Sequence, residues 1–122
     1  MIKKLKIFGI NILLFITAII LIIIFFGIGI TTGLSAILFF RASTDYFLDL
    51  AYIIDVFGNV VCQHFFNIAL IKKTSKFRFG NRRDTISRVL GLNEREDTLT
   101  WLGRVLANTL NFIDKDHCLK SI

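Results

Sequence analysis

The chain has 122 residues, a formal net charge of +6, 54% hydrophobic residues and 13 phenylalanines. That leaves room for one small domain and is too apolar for a small soluble one, unless the apolar residues collect in a membrane-facing segment. Two cysteines permit one disulfide but define no disulfide framework, and the absence of proline suits a mostly helical chain.

No charged side chain occurs in residues 7–40, a run rich in Ile, Leu and Phe. A helix needs about 20 apolar residues to cross the hydrocarbon core, so this run exceeds one span and falls short of two spans plus a turn. A cleavable signal peptide has an apolar core of roughly 7–15 residues before a small-residue site. The longer run here is read as an uncleaved anchor, residues 1–42. The first helix is expected from residue 7 to about residue 27. A weakening is expected over residues 27–33, where three glycines and β-branched residues lower helix propensity, unless lipid enforces continuity. Gly29 and Gly33 have the spacing of a close helix-packing face, a candidate for self-association.

Residues 43–71 form the next segment, with one helix expected over residues 46–71. Asp45, Asp49, Tyr52, Asp55, Asn59, Gln63 and Asn67 recur at steps of three or four, which places them on one stripe with apolar residues elsewhere. The helix can lie in the membrane interface or pack on protein; alternatively, it crosses back as the second arm of a hairpin. The hairpin would place both basic ends on one side, as the positive-inside rule favours. It would also bury Asp55 near mid-helix, at about 2.5–3.5 kcal/mol on insertion scales. The interfacial or protein-packed arrangement is therefore the expected one.

Residues 72–122 read as a separate basic helical module. Lys72, Lys73, Lys76, Arg78, Arg82, Arg83 and Arg88 stand against Asp84 alone. Next to a membrane-associated helix, such a run suits anionic lipid headgroups. Nucleic acid is the less favoured partner, although Phe77 and Phe79 between the cations could stack on bases. A short helix is expected to begin at a cap provided by Asn81 or Asp84 and to stop at Gly91, with residues 93–97 as a polar connector. Residues 98–113 form an amphipathic helix with Leu99, Leu102, Leu106, Leu110 and Ile113 on one face. Residues 114–122 are a polar tail. The fold class is all-α.

Catalytic chemistry finds little support. There is no phosphate-binding glycine loop, no paired carboxylates in a plausible cleft and no nucleophile elbow. The chain is read as non-enzymatic and without a cofactor. Cys62, His64, His117 and Cys118 are soft metal ligands but lack the paired spacing of zinc sites. A membrane-associated metal-binding protein is thus a minor alternative.

Several blocks in one order carry a resemblance. They are Asp55-Val-Phe-Gly-Asn59, Phe66-Asn67, Phe79-Gly80-Asn81, Asp84-Thr85-Ile86-Ser87, Val89-Leu90-Gly91, Thr98-Leu99-Thr100, Gly103 and Asp116-His117-Cys118 with Lys120-Ser121-Ile122. Together they resemble a family of small uncharacterised proteins of tailed phages and prophages of proteobacteria. The resemblance covers the chain from Asp55 onward and leaves the anchor outside. It implies a genetic setting rather than a mechanism. The function expected is membrane and protein interaction by a phage-type integral membrane protein, in the bacterial inner membrane with the C-terminus cytoplasmic. The alternative is a holin-like pore former, which would turn Asp55, Asn59, Gln63 and Asn67 toward a water-filled lumen.

Overall fold

A computed structural model of the chain describes residues 1–40 and 45–122. The described residues form six helices and no strand: α1 (Ile2–Phe40), α2 (Asp45–Val61), α3 (Gln63–Ala69), α4 (Ile86–Arg95), α5 (Trp101–Ile113) and α6 (His117–Lys120). They divide into two compact units, Met1–Tyr46 and Phe47–Ile122. The segment boundary expected between residues 42 and 43 lies outside the described residues.

In the first unit, α1 is long and apolar enough to cross a membrane. Its 39 residues extend about 58 Å, well beyond the roughly 30 Å hydrocarbon core. The helix runs without a break through Gly27, Gly29 and Gly33, where the sequence predicts a weakening. Its few hydroxyls return their protons to the backbone one turn earlier: Thr17 to Leu13 (2.9 Å), Thr31 to Gly27 (2.6 Å) and Ser35 to Thr31 (2.8 Å). These hydroxyls then need no partner outside the helix, the condition lipid imposes, and Asn11 carries the side-chain amide of the stretch. The Tyr46 ring packs against Gly33, and its hydroxyl donates to the Gly29 carbonyl at 3.2 Å.

The second unit departs from the expected division at residue 71, because residues 43–71 and 72–122 do not form separate modules: α2, α3 and everything after them fold together. The expected single helix over residues 46–71 is two helices with an irregular residue, Cys62, between them. Backbone bonds from Cys62 to Gly58 (2.9 Å) and from Phe66 to Cys62 (2.8 Å) carry the helical ladder across, so the polar stripe keeps its face. α4, α5 and α6 pack on one another. The core is Leu70, Ile71, Phe79, Val89, Leu90, Leu99, Ala107 and Cys118, with Phe66, Ile86, Leu106 and Leu110 at its edge.

α4 starts one residue later than Asp84 would allow. Thr85 is its N-cap, accepting from the Arg88 amide at 3.0 Å. It does not stop at Gly91 but runs to Arg95, and Asp97 is the residue that takes the left-handed conformation (φ 54°). Gly91 serves packing: a Cβ there would overlap the Cys118 carbonyl oxygen of α6. The tail is therefore docked rather than free. Asn93, expected in a connector, lies inside α4 and is fully buried. Its amide donates to the Phe77 and Val89 carbonyls (2.9 Å each), and its oxygen accepts from the Ser75 hydroxyl and from Thr98 (2.6 Å). On α5, Gly103 and Ala107 form the buried line, whereas Leu102 and Ile113 are exposed.

Candidate functional site

The polar stripe of α2 and α3 is the most organised polar feature of the second unit, and it faces its own chain. Asn59, with no exposed surface, donates to the carbonyls of Asn81 (2.9 Å) and Asp84 (2.6 Å) and accepts from the Gly80 amide (2.9 Å). About two turns further on, Asn67 exchanges a pair of bonds with Phe79, donating to its carbonyl (3.0 Å) and accepting from its amide (2.9 Å). Each asparagine reads a stretch of loop backbone as a strand partner would, supplying both a donor and an acceptor. Asp55 takes the next position: its carboxylate accepts from the Ile86 amide (3.0 Å) and the Ser87 hydroxyl (2.8 Å) at the N-terminus of α4. An anion there also meets the positive end of the helix dipole.

The other stripe residues do less. Gln63, the first residue of α3, donates to the Val60 carbonyl near the end of α2 (2.9 Å), and its side-chain oxygen lies over Gly80, whose φ of 115° is left-handed backbone that a Cβ would strain. Asp49 is exposed and takes no part in the network.

This arrangement fixes the basic loop over residues 72–83. Lys72 donates to the Asp97 carbonyl (2.8 Å), Arg78 to the Lys73 carbonyl (2.9 Å), and Arg88 pairs with Asp84 (3.0 Å). Lys73, Lys76, Arg82 and Arg83 are exposed and have no acidic partner among the described residues. Phe79 does not interleave with the cations as a stacking surface. It is in the core, edge-on to Phe66 at 5.2 Å between ring centroids.

The four soft ligands do not assemble. Both thiols are free, and no group of three or more His, Cys, Asp or Glu side chains is placed to hold a metal ion among the described residues. Cys118 has no exposed surface, and burial, with the charges of Glu94 and Asp55 adding to it, pushes its thiol up to about 11. His117 pairs with Asp114, whose carboxyl is held below its usual value by hydrogen bonds from Lys120 and His117. The Ser87 hydroxyl donates to Asp55, not to a histidine, so the polar groups near α4 do not form an activated nucleophile.

Beside this network the surface is apolar. Ile53, Phe57, Val61 and Ile68 are exposed on the face of α2 and α3 opposite Asp55, Asn59 and Asn67. Sequence reasoning found the stripe from its period but assigned it to water or a partner. The loop backbone it binds is not visible in periodicity. No protein-family model, no curated protein and no solved structure matches this chain.

Proposed function

We propose that this chain is a small integral membrane protein of phage or prophage type that acts by membrane and protein interaction and not by catalysis. It would work in the bacterial inner membrane with the second unit on the cytoplasmic side, where α1 anchors it and the loop at residues 72–83 meets anionic headgroups. One observation carries the headgroup reading. Asn59 and Asn67 clamp the loop backbone, while Lys73, Lys76, Arg82 and Arg83 stand outward without acidic partners. A fixed display of cations beside a membrane anchor draws on the negative surface potential of a cytoplasmic leaflet, at about 1 kcal/mol per Lys or Arg. The phage or prophage setting rests on the sequence blocks from Asp55 to Ile122.

A pore-forming role is less well supported. A water-filled lumen would need Asp55, Asn59 and Asn67 turned away from the amides and carbonyls they now satisfy.

The test is vesicle flotation of residues 47–122, the whole compact unit, since a fragment beginning at residue 72 would lack Asn59, Asn67 and the core residues Leu70 and Ile71. Binding should require anionic lipid, weaken as salt rises, and fall when Lys73, Lys76, Arg82 and Arg83 become Gln. Equal binding to neutral and anionic vesicles would count against headgroup recognition. Sidedness is read with a single cysteine at exposed Lys76, because Ser75 is buried against Asn93. An impermeant thiol reagent should reach it only from the cytoplasmic face.

A further inference from the structure

The second unit is amphipathic in an inverted sense. Along α2 and α3 Asp55, Asn59 and Asn67 point into the protein, and Ile53, Phe57, Val61 and Ile68 point out around one exposed histidine, His64, with Ile68 81% exposed. The surface continues sideways: a groove of about 620 Å³ beside α2, lined by Ile54, Phe66, Leu106 and Leu110 with Asp55, Ser87 and His117 at its polar side, joins it to α5. We propose that this continuous face lies in the headgroup–acyl boundary of the bilayer that holds α1.

Three observations select lipid as the occupant. The first is reach. Only residues 41–44 separate α1 from α2 in the sequence, so a bilayer that holds α1 stays available to the second unit at high effective concentration. The second is rim chemistry. Thr100 bonds the Ala69 carbonyl through its hydroxyl (2.5 Å) and the Leu70 carbonyl through its amide (3.0 Å). Trp101, 78% exposed, therefore emerges beside the end of α3, with Lys72 and Lys73 following α3 and Arg104 one turn along α5. Tryptophan next to basic residues at the edge of an apolar face is the composition of a membrane-interface belt. The third is polar satisfaction. Asp55, Asn59 and Asn67 are already bonded within the chain, so the face can meet the headgroup–acyl boundary without leaving these groups unsatisfied.

The inference rests on the reading that α1 lies in a bilayer, which alkaline extraction checks separately. It does not depend on lipid charge. Trp101 is the only tryptophan in the chain, so fluorescence of the unmodified full-length protein in liposomes reports this unit alone. Bromine on shallow acyl positions should quench it, aqueous iodide should not, and neutral bilayers should give the same result as anionic ones. Loss of anionic preference with retained bromolipid quenching would therefore overturn the headgroup reading and leave this one standing. A nitroxide at Phe57→Cys, in a chain otherwise free of cysteine, should collide with oxygen severalfold more readily than with an aqueous nickel complex. Iodide quenching of Trp101 without bromolipid quenching would overturn the proposal, as would a nickel-accessible label at position 57. Spin–spin broadening between labels on two copies, without bromolipid quenching, would also overturn it by assigning the face to a second copy.

Discussion

The carboxylate of Asp55, on α2, accepts a hydrogen bond from the Ile86 amide at 3.0 Å and so occupies the N-terminus of α4, 31 residues further along the chain. An acid that would be costly in lipid thus serves as a cap supplied by another helix. Charge-assisted hydrogen bonds contribute about 1.5–3 kcal/mol each, and their loss leaves the Ile86 amide and Ser87 hydroxyl short of partners. Asp55→Ala should destabilise the second unit by about 2–4 kcal/mol, and Asp55→Asn by less, since one acceptor oxygen survives. Chemical denaturation of residues 47–122 followed by circular dichroism measures both. Coincident curves for Asp55→Ala and the parent would show that the cap is not needed.

Asn59 and Asp49 belong to one stripe in the sequence and to different environments in the fold. Asn59→Ala strands the Gly80 amide and two loop carbonyls, and should cost about 2–4 kcal/mol. Asp49→Ala touches an exposed side chain and should stay within about 0.5 kcal/mol. The same melts compare them; a larger effect at position 49 than at 59 would contradict the network.

Gly91→Ala inserts a methyl group where the Cys118 carbonyl lies against α4. Overpacking of this kind typically costs about 1–3 kcal/mol. The shift should loosen α6 and let Cys118 react with a water-soluble disulfide reagent in the folded protein. In a Cys62→Ala background the labelling rate at pH 8 should rise at least tenfold over Gly91. An unchanged rate would mean that α6 does not depend on this contact.

Cys118 also predicts a pH dependence. Its thiol is raised in the folded state from 9.0 to about 11, chiefly by burial. A raised acid favours the protonated form on folding, so the unfolded chain loses this proton first as pH rises. The stabilisation is complete below pH 9 and declines by roughly 1.4 kcal/mol for each pH unit until about 11, then levels off. Comparing the parent with Cys118→Ala isolates the contribution. If both lose stability in parallel across pH 9–11, the thiol is not responsible.

The all-helical class, the long apolar N-terminal helix and the stripe are legible in the sequence because each is a periodic or compositional property of neighbouring residues. What lies against the stripe is not. A three-to-four spacing defines a face, and the same face suits water, a lumen or a loop from the same chain. Asn93 is masked by Glu94, Arg95, Glu96 and Asp97, whose charge marks a connector although only Asn93 turns inward. Gly91 carries two meanings, helix end and close approach, and the second depends on α6, which a polar tail does not announce. The basic run misleads at Phe79 for a similar reason: flanking cations suggest a surface, but the bonds from Asn67 turn that residue into the core. Asp55, Asn59, Asn67, Gly80, Ser87, Gly91 and Gly103 are in this fold packing and hydrogen-bonding positions, which sequence spacing alone does not distinguish from sites of activity.

The 32-residue separation between Asp55 and Ser87 has a consequence for biogenesis. Translation at roughly 5–20 residues per second places about 2–6 seconds between the synthesis of the stripe and that of its last partner. During that interval α2 and α3 form an apolar helix with unanswered polar groups, one that an insertion machine could accept as a second span or reject. On the proposal that α1 is held in a bilayer, the arrival of residues 79–87 would claim those groups for the aqueous side, and topology would follow from a race between lateral entry into lipid and closure of a loop. Substitutions that delay the loop, such as Gly80→Val, should increase the two-span fraction in cells without altering a single residue of the helices themselves.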